Sequence, residues 1–423
     1  MKETANIFTL PNGLRVIHVP SPTNVAYCGI SIDAGTRDEF DTEQGMAHFC
    51  EHMMFKGTLH RKAVHIINRM ESVGGDLNAY TNKEETVVYA AFIKENLTRA
   101  VELIFDVVFN STYPQNEIDK ECEVIIEEIE SYNDSPSELI FDRFENIIYE
   151  GCDLGHDILG KAEDVRRFKT ADAKSFTKRL YRPEKMVCFV MGNFDFDFVK
   201  KTICKVRFPD IKPESTDKRI DNDGGFKSGK GKTVVQEMNT HQAHVMIGCA
   251  AYGSKNEKRI ALYFLNNLLG GPGMNSRLNI ALREKRGLVY TVESSLTNYT
   301  DTSTWAIYFG CDTGDVDKCC KLVRKELDRL MQKPLTDTQF SSALKQIKGQ
   351  IGVACDNFEN YILDTAKAFL HYNKFEGVED TYQHLDKLTP ELLQKVANEV
   401  FNEDNLTTLI FKPKSAIRPL CAN

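Results

Sequence analysis

Strand-like runs rich in β-branched and small apolar residues, at 13–17, 26–34, 86–92, 243–251 and 304–309, are interleaved along this chain with longer segments whose apolar positions recur three and four residues apart. The second pattern predicts helices at 94–109, 116–132, 315–331 and 337–355. In 116–132, Cys122, Ile125, Ile126 and Ile129 make one apolar face. The order of elements repeats. Strand 26–34 is answered by 243–251, helix 94–109 by 315–331, and helix 116–132 by 337–355, the last pair introduced by Pro114 and Pro334. The offset stays at about 220 residues, which points to duplication. Strands sit beside helices without strict βαβ alternation. The expected fold class is therefore α+β: two duplicated α/β sandwich domains, each with helices packed on a mainly antiparallel sheet.

A polar stretch rich in Gly, Lys and Asp, containing DNDGGFKSGKGK, separates the halves. It reads as a linker at 209–232 between an N-terminal domain at 1–208 and a C-terminal domain at 233–423. Hydrophobic residues at 42% and charged residues at 27% are globular proportions, which excludes a disordered chain. The formal net charge of −8 has no basic block to offset it, so neither nucleic acid nor an anionic membrane surface is an expected partner. The apolar stretches 243–251 and 399–409 fall short of the roughly 18 residues a membrane-spanning helix needs. The start, MKETANIFTL, lacks the apolar core of a secretory signal, and the twelve cysteines include no CxxC pair. Cys28, Cys188 and Cys249 lie in apolar surroundings, as buried thiols do in a reducing compartment, and the expected location is cytoplasmic.

The halves differ at one place. The first carries HFCEH at 48–52, where the second reads LGGPG at 269–273. Helical residues four apart share a face, so His48 and His52 can present imidazole nitrogens to one ion, with Glu51 beside them. This donor set suits a catalytic Zn²⁺, one per chain, which leaves a position for water and gives Glu51 the part of general base. HxxEH is the inverse of the commoner HExxH zinc-peptidase signature. A third ligand must come from elsewhere. The acidic helix offers Glu121 and Glu128 on one shoulder of its core face and Glu123, Glu127 and Glu130 on the other, and spacing alone leaves the choice open. Cys50, inside the motif, reads as a packing residue on the helix face turned from the metal that nevertheless makes activity sensitive to thiol reagents. GGPGMNSRL at 270–278 lacks the pattern of a phosphate-binding loop and reads as a turn between helices.

The chain resembles the inverzincin peptidases, the pitrilysin or insulinase superfamily that includes mitochondrial processing peptidase and short bacterial enzymes. The resemblance runs through LPNGLRV at 10–16, AGTRDE at 34–39, GMAHFCEHMMFKGT at 45–58, GGDLNAYTNKEETVVY at 74–89, EVIIEEIESYNDSP at 123–136 and LREKRGLVYTV at 282–292. It implies that the distal ligand, 76 residues after the second histidine, is Glu128, and that Glu121 is the auxiliary catalytic glutamate. It implies that Asn78, Ala79, Tyr80 and Thr81 form an edge strand that holds substrate as an added strand, with Tyr80 biasing the choice of sequence. It also implies that Arg283 and Tyr290 contact the substrate and steady the tetrahedral intermediate. Long members of the superfamily close four such domains around a chamber. This chain has two, so the resemblance implies a homodimer acting on oligopeptides or unfolded segments. A processing subunit that needs a different partner and a non-catalytic scaffold are the competing readings.

Overall fold

The computed structural model describes residues 4–206 and 230–414. The linker expected at 209–232 lies, as far as residue 229, outside the described residues. The chain forms two compact units, each built on one sheet. The first sheet holds β1 (Asn6–Thr9), β2 (Arg15–Pro20), β3 (Val25–Ile32), β4 (Asp76–Thr81), β5 (Thr86–Ile93) and β6 (Met186–Gly192), in the order β1-β2-β6-β3-β5-β4. The second holds β7 (Thr233–Met238), β8 (Ala243–Tyr252), β9 (Val289–Asn298), β10 (Thr302–Cys311) and β11 (Thr407–Pro413), in the order β7-β11-β8-β10-β9. Apart from the added β1 the two orders correspond strand for strand. Each has one parallel junction, β2 with β6 and β11 with β7, and antiparallel pairing elsewhere. The expected α+β class and the duplication are both present.

Alternation along the strands gives the first sheet two apolar faces. Val16, Cys28, Ile30, Val88, Ala90 and Cys188 face a core filled by helices α1 (Met46–Met54), α2 (Ala63–Glu71), α3 (Leu97–Asn110) and α4 (Gln115–Asn133). Ile17, Val19, Val87, Tyr89, Phe189 and Met191 face the other way. That second face needs its own cover, and helix Phe358–Tyr372, from the far end of the chain, supplies it with Ile362, Ala366, Phe369 and Leu370. The second unit is covered reciprocally. Helix α5 (Pro136–Ile148) lays Leu139, Ile140 and Phe144 on Met246, Ala306, Tyr308, Leu409 and Phe411. Each compact unit thus takes one helix from the opposite half of the chain.

A glutamate clasps each crossing helix, buried in the first unit and half-buried in the second. In the first unit Glu85, at the start of β5, takes His371 Nε2 at 3.0 Å and Lys367 Nζ at 3.0 Å. In the second, Glu145 on α5 accepts from the Tyr299 hydroxyl at 2.7 Å and the Thr304 hydroxyl at 2.9 Å. The eleven described cysteines are free thiols, and among the described residues no helix is long and apolar enough to cross a membrane.

Candidate metal centre

Helix α1 carries the motif. Phe49, Cys50 and Met53 are fully buried in the first unit's core and fix the roll of the helix, so His48, Glu51 and His52 share the opposite face. His48 is buried and His52 half-buried, with ring centroids 4.6 Å apart. Helix α4 plants Ile125, Ile126 and Ile129 in the same core, which aims Glu121 and Glu128 at α1. Glu128 Oε1 lies 3.8 Å from His48 Nε2, and Glu128 Oε2 lies 3.4 Å from His52 Nε2. Behind the ring, His52 Nδ1 donates to Glu121 Oε1 at 3.0 Å, and Lys56 Nζ reaches Glu121 Oε2 at 2.6 Å.

Of the two imidazoles, the electrostatics favour charge on His52 and not on His48. Burial, then the charge of His52, lowers the pKa of His48 to about 4 against the pull of Glu128. Burial works against a charged His52 as well. There, hydrogen bonds to Glu121 and Glu128, with the charges of Glu128 and Glu51, outweigh it and raise the pKa to about 9. The hydrogen bond from His52 holds Glu128 below the usual carboxylate range despite burial. Glu121 is lowered too, because His52 and Lys56 outweigh its burial. Glu51 goes the other way. Burial raises its pKa, a bond from the Thr81 hydroxyl and the charge of His52 offset this in part, and its Oε2 is buried without a hydrogen-bond partner.

These residues fit a zinc ion. One donor atom each from His48, His52 and Glu128 lies within 4.8 Å of the others. Tetrahedral zinc with bonds of roughly 2.0–2.2 Å holds its donors about 3.5 Å apart, close to the separations already present. Two imidazoles with one carboxylate is a zinc donor set, and the Glu121 bond fixes the orientation of His52 from the side that does not face Glu128. Among the described residues this is the one group of three or more such side chains close enough to hold an ion.

The edge strand divides its side chains. Leu77 and Ala79 pack toward the core that holds α1, and Thr81 reaches Glu51. Tyr80 packs instead with Tyr89 and the crossing helix, and Asn78 turns toward Tyr89 and Asp76. Tyr80 therefore faces away from Glu51. Alternation of the strand puts it there. Arg283 and Tyr290 belong to the second unit. Arg283 lies on a π-helical turn, Asn279–Glu284, with its guanidinium 5.6 Å from the Tyr290 ring, and Tyr290 is 81% exposed at the start of β9. Residues 271–276 are the loop between helix Arg259–Gly270 and this turn. Cys50 packs as expected, but it is fully buried and its thiol is pushed well above the ordinary range, first by burial and then by Glu39 and Glu43. The expected sensitivity to thiol reagents has no basis at this residue, because the reactive thiolate is suppressed. Sequence reasoning missed Lys56, whose place four residues after His52 was the available signal, and it missed Glu39 and His156.

The chain matches two family descriptions, Insulinase (Peptidase family M16) over residues 15–162 and Peptidase M16 inactive domain over residues 167–347. A protein of Mycobacterium leprae named as an uncharacterized zinc protease is 32% identical, covering 93% of this chain and 89% of its own. One from Bacillus subtilis, named likewise, is 29% identical, covering 95% of this chain and 97% of its own. Among solved structures, a protease from Helicobacter pylori superimposes with a TM-score of 0.89 at 25% identity, covering 97% of this chain and all of that one. A Pseudomonas fluorescens structure described as a peptidase M16 inactive domain has the same fold, with a TM-score of 0.87 at 18% identity and 98% of each chain covered.

Proposed function

This chain belongs to the insulinase family of peptidases, peptidase family M16, and from that premise we propose that it is a zinc endopeptidase acting on oligopeptides and unfolded polypeptide segments. The observation that carries the reading is the convergence of His48, His52 and Glu128, with the unpartnered carboxylate oxygen of Glu51 buried beside them. These three side chains would hold the zinc. When bound, it supplies Lewis acidity, polarising a peptide carbonyl and making a water more acidic.

The chain's own residues do the rest. Glu51 accepts the proton of the attacking water at its free Oε2 and returns it to the leaving amine; burial, by raising its pKa, brings it nearer the range where both transfers run at neutral pH. Glu121 keeps the His52 ring in place. Strand β4 is the last in its sheet, and its Asn78, Ala79, Tyr80 and Thr81 backbone takes the peptide as an added strand, a mode that reads main chain more than side chains. Ala79 and Thr81 border the scissile bond, while Asn78 and Tyr80 stiffen the strand from its far face. Arg283 and Tyr290 are assigned as donors to the developing oxyanion, a task suited to a fixed charged fork and an exposed hydroxyl. We assign the working form to a homodimer, in which four α+β units from two copies enclose the chamber.

Cleavage of a quenched-fluorescent peptide library by the purified chain tests the reading. Activity should vanish on chelation and return with about one equivalent of zinc, and a folded protein should survive. Cleavage that persists after chelation, or that needs a second, different polypeptide, contradicts it. For the dimer, a Glu51→Gln chain mixed with a Tyr290→Phe chain should partly recover activity, and verified mixed dimers without recovery overturn that assignment.

A further inference from the structure

The metal-holding helix starts without the usual device. Gly45, its first flanking residue, adopts a left-handed φ of +92° and carries no side-chain cap. Its first backbone donors are satisfied from a distance. Glu39 Oε2 accepts from Gly45 N at 2.9 Å and Glu39 Oε1 accepts from Ala47 N at 2.8 Å. A carboxylate at a helix N-terminus is well placed for the dipole, but the Glu39 side chain is wholly buried, and burial pushes its pKa up against its hydrogen bonds. Its remaining partner is His156, whose Nε2 lies 3.1 Å from Glu39 Oε2.

His156 sits in a segment pinned on its other side to the turn that ends β4. The His156 carbonyl accepts from the ammonium of Lys83, a lysine buried to 2% exposure. Arg37 bridges Asp153 at 2.9 Å and Glu84 at 2.7 Å. Four residues on, Gly160 passes so near the helix start that a Cβ there would lie 2.5 Å from Gln44 O and 2.7 Å from Gly45 Cα. Both glycines have positive φ, so neither position accepts a side chain without strain. Residues 153–160 therefore touch the helix that bears His48 and Glu51 on one side. On the other they touch the turn after Thr81, the residue that bonds Glu51.

We propose that His156 is a positioning residue: through Glu39 it fixes the first turn of α1, and with it His48, relative to strand β4. The inference rests on the zinc-peptidase reading and deepens it. His48 is the third residue of α1 and takes its place from the helix start, whereas His52 is held independently by Glu121. Loss of the His156 contact should move His48 and leave His52 in place.

The test compares His156→Gln, whose side-chain nitrogen falls where His Nε2 stood, with His156→Asn, which is too short to reach Glu39. Zinc affinity by chelator competition and the visible spectrum of the cobalt-substituted chain are read alongside kcat and KM. His156→Asn should weaken zinc binding about ten-fold, the low end for losing a group that orients a ligand. It should also alter the cobalt spectrum and lower kcat more than it raises KM. His156→Gln should recover zinc affinity to within about three-fold of the wild type. Equal behaviour of the Asn and Gln chains, or an Asn chain with unchanged affinity and spectrum whatever its melting temperature, overturns the proposal. Both outcomes assume a wild-type chain that binds zinc; one that does not overturns the zinc reading itself.

Discussion

The two units share a strand order but differ in what they bury. Among the described residues the first unit encloses Lys83, Glu84, Glu85, Asp106, Glu121 and two histidines, His18 and His48, whereas the only acidic or basic side chain buried in the second is Glu326. The helix after β3 carries His48, Glu51 and His52. The helix after β8, Arg259–Gly270, instead offers the amides Asn266 and Asn267, which meet Ser294 at 2.6 Å and Gln350 at 2.9 Å. Buried ions cost several kcal/mol each unless paired, and Glu85, Asp106 and Glu121 are paired, with Lys367 and His371, with Arg61, and with Lys56 and His52. The crossing helices repeat the contrast. Glu85 binds charged or chargeable nitrogens of His371 and Lys367, whereas Glu145 binds the hydroxyls of Tyr299 and Thr304.

The comparison is sharpened most by removing Glu51, the base proposed for the first unit. Glu51→Gln should cut peptide hydrolysis about 10³-fold while zinc content stays at the wild-type level, read by steady-state assay with metal analysis. A residual rate within ten-fold would assign the proton transfer elsewhere. The second unit's contribution to chemistry should be smaller. Tyr290→Phe removes one neutral donor and should lower kcat about ten- to a hundred-fold with KM nearly unchanged; a rise in KM alone would make Tyr290 a binding residue instead.

The clasps predict effects on stability. Burial works against the Glu85 carboxylate, but His371, Lys367 and Asn82 outweigh it and hold its pKa at about 2. A depressed carboxylate stabilises the fold fully above its unfolded pKa, near 4.5, and that stability is lost as pH falls toward 2. The contribution is on the order of 3 kcal/mol. Glu85→Gln should therefore lower stability at pH 7 and flatten its acid dependence between about pH 4.5 and pH 2, checked by denaturant unfolding across that range. An unchanged acid slope would remove Glu85 from the account. Least of all, Tyr299→Phe should cost about 1.5 kcal/mol by taking one hydroxyl donor from Glu145.

Much of this was legible in the chain itself. The periods of apolar positions placed helix 116–132 within one residue of Gln115–Asn133 at each end and strand 243–251 within one of Ala243–Tyr252, because long amphipathic helices and buried central strands leave strong patterns. The shoulder shared by Glu121 and Glu128 was also readable, since Ile125, Ile126 and Ile129 fix the roll of α4. The exchange of α5 and helix Phe358–Tyr372 was not. An amphipathic helix announces that it needs an apolar surface but not which one, and both sheets offer a second face. Glu39 and His156 were hidden for a similar reason. Their bond joins residues 117 positions apart, and nothing in either neighbourhood signals a long-range cap. The face that Tyr80 takes follows from strand alternation once Leu77 and Ala79 are fixed in the core.

The central claim is that the first unit holds zinc through His48, His52 and Glu128. The most direct measurement is the zinc content of the chain and of its Glu128→Gln variant after dialysis against a weak chelator, with folding checked by circular dichroism. The account predicts about one zinc per wild-type chain and almost none in the folded variant. A folded Glu128→Gln chain that keeps its full complement of zinc would contradict it.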